Sequence, residues 1–170
     1  VVVTPDNLGS WPRGPLLSPC SPFPGDLEFV SGLSTPPLGT GSLQFGIGTI
    51  SSPLVTFFSR VLDDVPVGDI TALRYSTYVA SSTPPGNAPR LVLSIETQEP
   101  SAPFEQLMFT PPPASVITGA WQSWDALAGT WTALFVFPTP PPTTLAAYVA
   151  AHPAARITQQ LGGLAILAGC

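Results

Sequence analysis

Lysine is missing from this chain altogether, and charge of either sign is scarce. The five basic residues are all Arg and stand against ten acidic ones, so 9% of the 170 residues are charged. A typical soluble domain carries about 25%. A net charge of −5 without any basic cluster excludes a nucleic-acid surface, which needs Lys and Arg to neutralise phosphates. It also argues against an anionic membrane surface. No apolar run reaches the ~20 residues of a membrane span, so no membrane insertion is expected. No signal-peptide pattern is present, and Val1 in place of Met reads as a processed chain or a fragment. Cysteine is down to two, with neither a CxxC nor a Cys/His group, which excludes a structural zinc site. Cys20 and Cys170 are either one disulfide of an oxidising compartment or two unpaired small hydrophobes. Neither Asn7 nor Asn87 opens an N-glycosylation sequon.

Proline is what the chain has in excess. Its 23 prolines stiffen connections and forbid long helices. With so few charges, the surface must be built from Ser, Thr, Gly, Pro and apolar atoms. That suits a secreted protein, or one that packs against copies of itself. Between Trp11 and Pro24, Pro12, Pro15, Pro19, Pro22 and Pro24 remove backbone donors at short intervals, so 11–24 is a surface arm or loop. A second Pro-rich stretch, 138–143, is an extended leash. One domain is expected for a chain of this length.

Strands dominate the pattern. Val1, Val2 and Val3 are a β-branched opening strand stopped by Pro5. Leu27–Val30 is a short strand, and 41–49 alternates Leu43, Phe45 and Ile47 with Gln44, Gly46 and Gly48. Leu54–Leu62 is an apolar run. In 69–80, Leu73, Tyr75, Thr77 and Val79 share one face; Arg74, Ser76 and Tyr78 share the other. Further strands are expected over 90–97 and 104–110, and 118–137 reads as two strands joined by a Gly turn. One helix is predicted, Leu145–Ala151, capped by Thr144 and ended by Pro153. A short strand at 156–160 and a buried closing strand at 164–168 complete the chain. Strands joined by Pro/Gly turns argue a sandwich or barrel.

Four stretches, GTGSLQF at 39–45, DITALRYSTYV at 69–79, TGAWQSWDALAGTW at 118–131 and TLAAYVAAHPAARI at 144–157, resemble in order a jelly-roll-type β-sandwich domain of bacterial exported and cell-surface proteins, most of them uncharacterised. The resemblance implies an all-β, antiparallel jelly-roll sandwich with one short helix near the C-terminus, outside the cell and similar to carbohydrate-binding modules. It carries no activity with it. Two departures stand out. Members commonly have an acidic loop near 96–100, where this chain has Thr97-Gln98-Glu99-Pro100. They also run on past the Ala-Gly-Cys segment into a final strand, whereas this chain stops at Cys170. The expectation is that the missing strand comes from a neighbouring copy or a continuation, with Val1–Val3 as the exchanged end.

Candidate sites are few. Asp63, Asp64 and Asp69 are better explained by turns than by a Ca²⁺ site, which needs six to eight oxygens. Glu96, Glu99 and Glu105 are better read as strand faces than as a glycosidase pair. His152 lacks a triad pattern and suits a helix C-terminus. Trp121 and Trp131 lie in apolar contexts and are expected in the core. Trp124, on the face opposite Trp121, and Tyr78 are the candidate ligand-binding aromatics. No catalytic residue, metal or cofactor is expected. The first functional expectation is a non-enzymatic extracellular structural protein, a subunit of a filament, sheath or surface layer that contacts identical copies of itself. The alternative is a carbohydrate-binding module with a polysaccharide partner.

Overall fold

Hydrophobic alternation and proline punctuation place strands along most of the chain. The computed structural model describes residues 26–31, 33–37, 39–47, 54–82, 85–98, 104–134 and 140–169. The expectations for Val1, Val2 and Val3, the arm 11–24, Glu99, Cys20 and Cys170 lie outside those residues. Among the described residues the strands are β1 (Asp26–Ser31), β2 (Gly41–Gly46), β3 (Leu54–Ser59), β4 (Arg74–Tyr78), β5 (Arg90–Glu96), β6 (Phe104–Phe109), β7 (Trp121–Asp125), β8 (Thr130–Leu134), β9 (Thr143–Thr144), β10 (Arg156–Ile157) and β11 (Leu164–Gly169). The single α-helix, α1, is Leu145–Ala151.

The main sheet runs β3-β11-β5-β6-β8-β9, with β10 also paired to β5. Every pairing between named strands is antiparallel. The second layer consists of two ribbons, β1-β2 and β4-β7. The fold is an all-β, antiparallel sandwich with one short helix near the C-terminus, the class expected from the sequence.

Alternation explains the core. On the face turned to the second layer, Leu91, Leu93 and Ile95 of β5 join Leu107, Phe109, Trp131 and Leu164 in one buried cluster, with Tyr75, Trp124 and Ile166 packed against it. The hairpin β1-β2 reaches the same face, since Phe29 meets Phe57 edge to face at 6.3 Å. On the opposite face Val92, Phe58, Ala165 and Leu167 form a second cluster. The middle of β5 is therefore buried on both sides, and its apolar run is nearly continuous.

Burying the large apolar residues of the first cluster contributes about 1.5–3 kcal/mol each. Trp131, at 0% exposure, donates its indole N–H to the Ala126 carbonyl at 2.9 Å, so the ring is buried without an orphaned donor. The turn before it is pinned to the entry of β4, because Ala126 N–H donates to the Leu73 carbonyl at 2.9 Å.

The helix forms as expected. Thr144 Oγ1 accepts from Ala147 N–H at 3.2 Å, and Leu145 and Tyr148 enter the core. Pro153 follows the C-cap His152, and a residue preceding proline is steered out of helical geometry. Two strand expectations shorten. The stretch 69–80 begins at the end of a 3-10 turn, Val67–Asp69, and pairs as a ladder only over β4, with one isolated bridge from Val79 to Thr118. The stretch 156–160 becomes β10 followed by another 3-10 turn, Gln159–Leu161. The closing strand β11 is paired on both sides, with β3 and β5.

Candidate functional site

Two-residue periodicity decides which side chains of the β4-β7 ribbon meet solvent. Register sets Arg74 opposite Asp125, Ser76 opposite Ser123 and Tyr78 opposite Trp121, with Tyr75 opposite Trp124 and Thr77 opposite Gln122. Tyr75 and Trp124 pack against the main cluster, so the alternate three rows face outward. Each outward row makes a cross-strand contact. Arg74 Nε and Nη2 both lie 3.0 Å from Asp125 Oδ2. The hydroxyls of Ser76 and Ser123 share a hydrogen bond of 2.8 Å. The Tyr78 and Trp121 rings stand 5.7 Å apart, tilted by 59°. At about 3.4 Å per residue the strip is about 14 Å long, running from an ion pair through a hydroxyl pair to an aromatic pair.

The phasing of β7 corrects the sequence reading, which had Trp121 inside and Trp124 outside. Trp124 turns inward and donates its indole N–H to Thr77 Oγ1 at 2.8 Å, which satisfies the donor where burial would otherwise penalise it. As a candidate ligand contact it sits on the wrong face of the ribbon. Trp121 turns outward, remains partly exposed, and donates its N–H to the Leu33 carbonyl at 3.0 Å. The usable signal was already in WQSWD: Trp121, Ser123 and Asp125 share a face, and a carboxylate cannot face an apolar core without a large desolvation cost. Tyr78 lies on the outward face, as the alternation of 69–80 predicts, and Trp131 lies in the core as expected.

The strip is electrically closed. Asp125 Oδ1 also accepts from Ala128 N–H at 3.3 Å. That backbone bond first, and the Arg74 guanidinium second, hold the Asp125 carboxyl below the usual carboxylate range. The two serine hydroxyls bond each other, so neither is set against a base. On the inner side, Tyr75 donates its hydroxyl to the Pro89 carbonyl at 2.9 Å, and burial pushes its ionisation above the ordinary tyrosine value.

The other candidates separate. Glu105 lies opposite Ile95 and Glu96 opposite Phe104, which puts the two carboxylates on opposite faces of the sheet; they cannot flank one glycosidic bond. Glu105 Oε2 instead accepts from the Tyr148 hydroxyl at 2.9 Å, and His152 stacks on the Tyr148 ring at 4.6 Å. Asp64 Oδ1 accepts from Arg156 Nε at 2.6 Å, and Asp63 Oδ1 accepts from Gln159 N–H at 2.7 Å. Both aspartates thus tie the 60–65 turn to the segment after α1. Among the described residues no three His, Cys, Asp or Glu side chains gather as a metal site would need. Also among them, no helix is long and apolar enough to cross a membrane.

No family model, curated protein or solved structure matches the chain. The residues themselves therefore carry the functional argument.

Proposed function

We propose that this chain is a non-enzymatic domain of an exported protein that binds glycan on the outward face of β4-β7. The observation that carries this reading is the partly exposed Tyr78–Trp121 pair at the end of a strip of hydroxyls. An aromatic face offers a sugar ring an apolar surface for its C–H groups, with a polar edge beside it. Ser76 and Ser123 add neutral donors and acceptors about 7 Å further along the strands. The charge-poor composition and the resemblance to exported jelly-roll domains support a place outside the cell. Isothermal titration against a panel of oligosaccharides tests the reading. At least one should bind, and Trp121→Ala should weaken it about tenfold, the equivalent of 1.4 kcal/mol. Absence of any Trp121-dependent binding across the panel refutes it.

A second reading, subunit of a filament, sheath or surface layer, is favoured by a different observation. Leu33, Ile47, Val61, Phe104 and Ile117 are exposed large apolar residues, with Ile117 at 59%. In a surface with few charges to keep copies apart, such residues favour self-contact. Mass measurement in solution with negative-stain microscopy decides it. Discrete monomers at high concentration reject assembly, and long polymers that lose order on Leu33→Ser or Ile117→Ser support it.

A further inference from the structure

We infer that the strip takes a single, uncharged glycan chain, in preference to an acidic polysaccharide or the flat surface of a crystalline one; this rests on the glycan-binding reading above. The ring geometry supplies the first argument. Two rings tilted by 59° with centroids 5.7 Å apart cannot both lie against one plane, as the surface of a crystalline polysaccharide requires. Their faces point in different directions, which a single flexible chain can follow and a flat lattice cannot.

Charge supplies the second argument. Arg74 is committed to Asp125 through both Nε and Nη2. A sugar carboxylate that recruited Arg74 would leave Asp125 unpaired beside a second anion. Like charges a few ångströms apart repel even at this exposed pair, because they lie well inside the Debye length. No other described arginine serves the strip. Arg156 is paired with Asp64, Arg90 donates to the Gly169 carbonyl and the Met108 sulfur, and Arg60 sits 5.8 Å from the Phe58 ring. The net charge of −5 adds a longer-range repulsion of polyanions at low salt.

Length supplies the third. Rows of side chains over about 14 Å reach beyond one sugar ring, so a chain should gain over a disaccharide. The neutral hydroxyl pair lies between the aromatic and ionic ends. Sugar hydroxyls that reach it meet groups able both to donate and to accept.

The test uses the whole chain with three classes of probe. Cellohexaose, xylohexaose, mannohexaose and chitohexaose serve as neutral soluble chains, hexagalacturonic acid as the acidic one, and microcrystalline cellulose and chitin as flat surfaces. Binding of at least one neutral hexamer is expected, tighter than its disaccharide, unaffected by added salt, and weakened about tenfold by Trp121→Ala. Tyr78→Ala, on the partner strand, should weaken it similarly and serves if the first variant folds poorly. Asp125→Asn, which releases Arg74 from its anion, should admit the acidic hexamer that the unmodified chain rejects. Aromatic-dependent binding of the acidic hexamer or of a crystalline surface by the unmodified chain overturns this inference while leaving glycan binding standing. Loss of aromatic-dependent binding to every probe overturns the glycan reading itself.

Discussion

Three tryptophans within eleven positions of one another, Trp121, Trp124 and Trp131, occupy three different environments, and replacing each by alanine should grade the domain's stability in a fixed order. Trp131 is fully buried, bonded to Ala126 and 5.8 Å from the Phe109 ring. Its removal leaves a cavity and should cost about 3–5 kcal/mol. Trp124 packs on the same cluster from the second layer but is only partly buried. Its loss also strands Thr77 Oγ1, at a residue 6% exposed, for a total of about 2–3 kcal/mol. Trp121 faces outward. It forfeits one ring contact and one partly exposed hydrogen bond, together about 1–2 kcal/mol. In a domain of this size each kcal/mol moves Tm by about 2–4 °C. The expected falls are then about 6–20 °C, 4–12 °C and 2–8 °C in that order. Urea denaturation followed by far-UV circular dichroism gives the free energies, with an unchanged m-value required for a fair comparison. Acrylamide quenching of tryptophan emission in a Trp11→Phe background supplies an independent readout, because the most quenchable component should vanish with Trp121→Ala and persist with Trp124→Ala. A Trp121→Ala protein less stable than Trp124→Ala would refute the register of β7, and with it the outward strip.

Other perturbations probe the frame around the strip. Gly163→Ala should cost about 2–4 kcal/mol, because φ is +67° and the new Cβ would stand 2.5 Å from the Ser59 carbonyl oxygen. Gly119→Ala, at φ +82° in open space, should cost only about 1 kcal/mol; equal costs by urea denaturation would show that Ser59 yields. Thr144→Ala should remove about 1 kcal/mol by deleting the cap on Ala147, while Thr144→Asp restores most of it. Asp125 has a folded pKa below its unfolded one, so its stabilising contribution is complete above the ordinary carboxylate range near 3.9 and is lost as pH falls through the folded value. A carboxyl-detected NMR titration should show Arg74→Ala raising that pKa only part-way, because the bond from Ala128 N–H persists. Complete return to the ordinary value would show that the backbone bond is not its main cause.

Much of the fold was legible because local pattern and tertiary demand agree. The alternation of Leu91, Leu93 and Ile95, the Thr144 cap and the Pro153 stop each serve the element that forms there. The prolines marked the connections for the same reason. The site was half legible. One strand of the ribbon, with Arg74, Ser76 and Tyr78 on a common face, follows from spacing alone. The other strand offers a tryptophan to each face in WQSWD, and only the parity of Trp121 with Asp125 marks which one turns outward. A residue more than forty positions away, Thr77, supplies the acceptor that lets Trp124 go in. Nor does any local signal place β11 between β3 and β5. An apolar run tells how deeply a strand is buried and says nothing of its neighbours.

That placement of β11 governs the order in which the molecule can assemble. Leu164 must find Ser59 on one side and Leu93 on the other, so β3 has no link to the main sheet until a segment far later in the chain arrives. The entropy of closing such long loops is spent before the pairing returns any of it, which slows folding in sheets of non-local contacts. During synthesis β3 would emerge early and wait, its Phe57 and Phe58 without their partners in β11. A chain built this way completes its main sheet only when its last strand is available.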